Sequence, residues 1–101
     1  MFTAQNLEKY ADVLLWGLAT ARKTSLKKND IVLLQYDRAA LGLAEILYAR
    51  LMERGVHPVQ RMIATHDMEK SFYGKGGRTQ LEFIAPGEKE LLKNINGRIF
   101  I

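Results

Sequence analysis

The stretch Ile31-Val32-Leu33-Leu34-Gln35-Tyr36-Asp37 decides the fold when read with the apolar stripe that follows at Ala40, Leu41, Ala44, Leu47, Tyr48 and Leu51. The run from Ile31 to Tyr36 is almost continuously apolar, the pattern of a strand buried on both faces. Asp37 is placed to cap a helix, and the stripe then repeats at helical spacing over Arg38 to Arg54, about five turns at 3.6 residues each. Gly55 suits the left-handed position at that helix's end. In Val56-His57-Pro58-Val59-Gln60-Arg61-Met62-Ile63 a second short strand begins at Val59, with Pro58 just before it. Strand, long helix and strand make a βαβ unit, whose strands are parallel and whose crossover is right-handed in nearly all known cases.

Outward from this unit, Leu7, Tyr10, Ala11, Leu14, Leu15 and Leu18 mark an amphipathic helix over Ala4 to Arg22, with Thr3 or Asn6 to cap its start. The polar segment Thr24 to Asp30 reads as a connection. On the other side, His66-Asp67-Met68-Glu69 opens a short helix with Asp67 as its cap, and Gly74-Lys75-Gly76-Gly77 breaks it. Thr79 to Ile84 give a further helical turn or two. Pro86 fits the first turn of a last helix containing Leu91, Leu92 and Ile95, which ends before Asn96-Gly97 and the strand Arg98-Ile99-Phe100-Ile101. The expectation is one α/β domain over residues 1–101: three layers, a short, mostly parallel sheet of about three strands with flanking helices, order α-β-α-β-α-α-β. A sheet with so few strands reads as unfinished, which suggests the amino-terminal fragment of a longer chain.

Composition narrows the function classes. Hydrophobic residues make up 48% and charged residues 26% of 101, enough for one core and too apolar a mixture for a disordered segment. With no cysteine, disulfides and thiolate metal sites are excluded, and a cytoplasmic location is the expectation. No apolar run is long enough to span a bilayer, and the first residues lack a signal peptide's basic start. The net charge of +4 gathers locally at Arg22, Lys23, Lys27 and Lys28, but no aromatic residue interleaves with these, so nucleic acid and membrane are not expected partners.

Few groups are arranged for chemistry. His57 and His66 bracket the second strand, and neither this spacing nor His66 with Asp67 and Glu69 resembles a His-Glu-x-x-His metal site. Ser25 and Ser71 lack a nucleophile elbow. The turn after the first strand, Tyr36-Asp37-Arg38-Ala39-Ala40, does not carry Gly-x-Gly-x-x-Gly, and Gly42 inside the helix serves close packing better than pyrophosphate contact. Because open α/β sheets bind ligands outside the carboxyl ends of their strands, Tyr36, Asp37, Arg38, Thr65 and His66 form a candidate ligand-facing rim; as caps and solvated loop they have a purely structural reading too. Lys75, Gly76, Gly77 and Arg78 form a candidate anion loop, with a flexible surface turn as the alternative. Trp16 lies off the main stripe of its helix, at the edge of the core or at an interface.

The wording of several segments resembles the amino-terminal portion of metallo-aminopeptidases of the aminopeptidase T (thermophilic aminopeptidase) family. These are Asn6-Leu7-Glu8-Lys9-Tyr10-Ala11-Asp12-Val13-Leu14, Leu26-Lys27-Lys28-Asn29-Asp30-Ile31-Val32-Leu33-Leu34, Ala44-Glu45-Ile46-Leu47-Tyr48-Ala49-Arg50 and Arg54-Gly55-Val56-His57-Pro58-Val59. The chain departs from the family's pattern in ending its first strand with Gln35-Tyr36-Asp37 and in having Thr24-Ser25 where a glycine is expected. The resemblance implies a non-catalytic amino-terminal domain that helps form the substrate cavity or a domain or subunit interface. It also implies peptide as substrate, two divalent metal ions held by Glu, His and Asp of a missing carboxyl-terminal catalytic domain, no cofactor in this chain, and a homodimer as one assembly. The alternative is a stand-alone α/β module that binds an anionic small molecule.

Overall fold

Three strands, β1 (Ile31–Tyr36), β2 (His57–Met62) and β3 (Gly97–Phe100), form one parallel sheet in the order β2-β1-β3. The computed structural model describes residues 4–22 and 26–101. The helices are α1 (Ala4–Arg22), α2 (Leu41–Glu53), α3 (His66–Lys75), α4 (Arg78–Leu81) and α5 (Glu88–Asn94), so the α-β-α-β-α-α-β order and the open parallel sheet agree with the sequence.

Register explains which residues form the core. Leu34 lies opposite Gln60 on β2 and Ile99 on β3, and the pleat puts Val32, Leu34, Tyr36 and Ile99 on one face. On that face they meet Ala11 and Leu15 of α1, Leu43, Ala44, Leu47 and Leu51 of α2, and Val56, all buried in one cluster. The apolar stripes at helical spacing are therefore the sides of α1 and α2 that the sheet removes from water, each fully buried leucine contributing about 1.5–3 kcal/mol. Tyr10 belongs to the stripe of α1 by spacing but is 48% exposed.

Leu33 points to the other face and is also fully buried. That face is crossed by the excursion from β2 to β3, pinned where Arg61 of β2 meets Glu88 of α5. Met68, Phe72, Tyr73, Leu81, Phe83, Ile84 and Leu92 along this excursion remain exposed. The Cα radius of gyration is accordingly 15.7 Å, against about 13 Å for a compact chain of this length, and the molecule is a slab of 43 × 35 × 20 Å.

Local chemistry fixes the ends of the elements, sometimes away from the expected position. Arg38 to Ala40 form a 3-10 turn that leads into α2, with Asp37 Oδ1 accepting the Ala39 N–H at 2.8 Å as the expected cap. Gly55 has φ +75°, as its place after α2 requires. Asn29 adopts the same left-handed conformation at φ 71°, and its N–H donates to the Gly55 carbonyl at 2.8 Å, so the turns before β1 and β2 brace each other.

β2 starts two residues earlier than Val59, because the His57 N–H already donates to the Asp30 carbonyl at 2.7 Å. Thr65, not Asp67, caps α3, its Oγ1 accepting the Met68 N–H at 3.2 Å. α3 runs through Gly74 and stops at Gly76; α4 starts at Arg78 rather than Thr79. Pro86 precedes α5, whose N-cap is Gly87 at φ 85°. Thr3, Lys23, Thr24 and Ser25 lie outside the described residues.

Candidate functional site

Two connections leave β1 and β2 at their carboxyl ends and converge there. The cap at Asp37 turns the chain sharply into α2, and the cap at Thr65 turns it into α3, so both loops are short and face one another. Between them lies a cleft of about 280 Å³ lined by Asp37, Arg38, Ile63, Thr65, His66 and Asp67, among others. Four of the five rim residues read from the sequence are thus brought together. Tyr36 is not among them: its side chain faces the α2 side, 9% exposed, and its hydroxyl donates to Gln60 Oε1 at 2.8 Å.

Within the cleft Asp37 and Thr65 have one side-chain oxygen each committed to the backbone, while Arg38 and His66 are exposed. A cation, an imidazole and the carboxylates of Asp37 and Asp67 therefore border one opening. Such a mixed rim suits recognition of a zwitterionic or polar group better than nucleophilic attack, because the Thr65 hydroxyl is engaged as a cap rather than paired with a base.

Asp37 also borders a second, larger and more apolar groove of about 510 Å³ with Leu7, Tyr10, Ala39, Ala40, Gly42 and Leu43. This groove lies past the carboxyl end of β1, between α1 and the start of α2, and open α/β sheets receive ligands outside the carboxyl ends of their strands. A Cβ on Gly42 would lie 3.6 Å from Leu7 Cδ1, so the glycine lets α1 and α2 approach, as its place in the helix suggests. The sequence carries a signal for Gly42 but none that pairs it with Leu7 and Tyr10, because that pairing depends on how α1 crosses α2.

The glycine loop has a different character. The Gly76 N–H donates to the Phe72 carbonyl at 3.0 Å and the Gly77 N–H to Gln80 Oε1 at 3.0 Å. A Cβ on Gly76 would collide with the Phe72 carbonyl oxygen and come within 2.9 Å of Leu81 Cδ2, so the chain needs glycine there for the tight step from α3 to α4. Arg78 Nε reaches Glu82 Oε1 at 3.3 Å, and Lys75 is exposed. The amides of Gly76 and Gly77 are thus engaged within the loop itself.

Metal-binding groups are dispersed. His57 is the first residue of β2 and His66 opens α3 past the strand's other end, and His57 Nε2 lies 3.2 Å from Asn29 Oδ1. Among the described residues no three His, Asp, Glu or Cys side chains come together to hold an ion, so this donor set does not fit a two-metal centre. No described helix is long and apolar enough to cross a membrane.

An open parallel sheet with crossovers on both faces and its clefts at the carboxyl ends defines a doubly wound α/β domain. The family model for thermophilic metalloproteases matches residues 3–101, and the chain belongs to that family of metallo-aminopeptidases, the aminopeptidase T family. Neither the curated proteins nor the solved structures yield a match.

Proposed function

We propose that this chain is the non-catalytic amino-terminal domain of a metal-dependent aminopeptidase, an enzyme that removes amino-terminal residues from peptides. The observation that carries the reading is the family match across nearly the whole chain. Dispersed metal-binding groups and a polar rim built from backbone caps support a structural part in that enzyme.

In this reading the domain's rim at Asp37, Arg38, Thr65 and His66 helps wall the peptide cavity, and its apolar surfaces meet the neighbouring domain or subunit. Two divalent ions bound in the carboxyl-terminal catalytic domain supply the polarisation of the scissile carbonyl and the activated water. This chain's own groups orient and enclose the peptide, which in the cell is a cytoplasmic substrate.

The test is release of leucine from a dipeptide by the purified chain with added divalent metal. No release is expected, and metal-dependent turnover removed by a chelator would overturn the non-catalytic assignment. Reading the source frame past the codon for Ile101 tests the parent enzyme separately. Clustered Glu, His and Asp codons downstream support it; an immediate stop codon overturns it.

A further inference from the structure

Leu41, Ala44, Glu45 and Tyr48 fall at i, i+3, i+4 and i+7 of α2 and form one stripe along it. This stripe borders a pocket of about 350 Å³ whose other wall is the sheet, with Leu34 and Tyr36 of β1 and Gln60 of β2. Leu34 and Gln60 are register partners, so their side chains lie on the same face. The pocket shares no residue with the polar cleft at Asp37 and Thr65 or with the apolar groove at Leu7 and Gly42.

The sheet wall is preformed. The Tyr36 hydroxyl donates to Gln60 Oε1 at 2.8 Å, which holds the phenol and the amide together and satisfies the hydroxyl. On the helix side Glu45 is exposed, and among the described residues its carboxylate has neither a hydrogen bond nor an ion pair. Its neighbours at helical spacing are Leu41, Gly42, Tyr48 and Ala49, none of them cationic. Arg50, which shares the adjoining groove with Glu45, turns its guanidinium to Asp12 at 3.7 Å. The pocket lining thus combines one carboxylate, two phenol rings and apolar surface, with no cation.

The geometry points to a guanidinium group as the ligand of this pocket. Its flat fork matches a carboxylate with two parallel N–H donors, and its faces stack on aromatic rings, here those of Tyr36 and Tyr48. A primary ammonium has the same charge but no flat face and a more tightly held water shell. The aliphatic stem that carries the guanidinium lies along Leu41. A volume of about 350 Å³ is at the small end of ligand pockets and suits such a group with a short stem. The inference does not rest on the peptidase reading and gives the pocket no part in peptide cleavage.

Titration of the ¹⁵N-labelled chain with n-butylguanidinium, followed by amide chemical shifts, tests it. Saturable shifts centred on Tyr36, Glu45, Tyr48 and Gln60 are expected, with a dissociation constant on the order of 1 mM. The uncharged isostere n-butylurea is expected to bind about tenfold more weakly, and n-butylammonium about threefold. Glu45→Gln is expected to weaken n-butylguanidinium about tenfold and Tyr48→Leu about threefold, both side chains being outside the core. Glu8→Gln, an exposed carboxylate of α1 outside the pocket, is expected to change nothing. N-acetylarginine amide separates two sources of the group: tighter binding than n-butylguanidinium assigns it to an arginine of a polypeptide, and equal or weaker binding to a free compound. Absence of saturable shifts at these residues overturns the inference, as does equal binding of n-butylurea or equal weakening by Glu8→Gln and Glu45→Gln. Loss of the titration in a longer polypeptide containing this chain also overturns it, because the pocket is then covered.

Discussion

Arg61 of β2 and Glu88 of α5 are joined by two hydrogen bonds, Nη1 to Oε1 at 2.8 Å and Nη2 to Oε2 at 3.0 Å, across the face of the sheet away from α1 and α2. This fork ties the start of α5, where the exposed excursion through α3 and α4 returns to the sheet, to β2. Glu88→Gln keeps the shape and removes the charge. Amides from α3 to α5 are expected to exchange faster in this variant while those of β1 do not change, as hydrogen exchange with mass spectrometry would read.

The same pair gives the excursion a pH dependence of known sign. Hydrogen bonds from Arg61, aided by the charges of Arg61 and Arg98 and opposed by desolvation, hold the Glu88 carboxyl below its ordinary value. A lowered folded-state pKa contributes stability that is complete above the ordinary carboxylate value and is lost as the pH falls through the folded value. Protection of α5 is expected to be flat from neutral pH to just above the ordinary carboxylate range and to fall below it; Glu88→Gln removes that dependence.

Gly55 and Gly17 are predicted to respond oppositely to alanine. At Gly55 φ is +75° and a Cβ would lie 3.2 Å from Lys28 Cγ, so Gly55→Ala is expected to cost about 1–2 kcal/mol. Gly17 lies within α1, where an added methyl group would meet no atom within 4 Å, and Gly17→Ala is expected to gain about 0.5–1 kcal/mol. Urea midpoints measured together would show the two shifts.

The contrast between α2 and α3 shows what can be read from the sequence. Ala44, Leu47 and Leu51 repeat at a period that only a helix satisfies, and the apolar run of β1 has to be covered on both sides, so the βαβ unit is legible residue by residue. The cap of α3 is not, because Thr65 and Asp67 are both good caps and only the backbone path after Met62 chooses between them. Pro86 falls outside α5 for a similar reason: Gly87 takes the left-handed conformation, which delays the helix beyond the proline. Of the rim, Asp37, Arg38, Thr65 and His66 follow from strand order alone, whereas Tyr36 turns inward because the pleat puts it on the face of Leu34.

That choice of cap can be checked. Thr65→Ala removes the bond to the Met68 N–H and is expected to cost about 1 kcal/mol, whereas Asp67→Ala loses only a favourable interaction with the helix dipole, about 0.3–1 kcal/mol. Thermal denaturation of the two variants at one pH and salt concentration separates them.

In the core, Leu47 is fully buried between α2 and the sheet. Leu47→Ala is expected to cost about 2–5 kcal/mol, a large share of the stability of a domain this small, and to lower the urea midpoint accordingly.

Pro58 has an effect that reaches beyond its own strand. A slab with two equally receptive borders would add copies at both, and stacking of that kind has no natural end; it leads to fibres. Pro58 withholds one donor from the outward side of β2, so a strand laid along that border would lose a hydrogen bond near its start. One imino acid thus makes the two borders of the slab unequal.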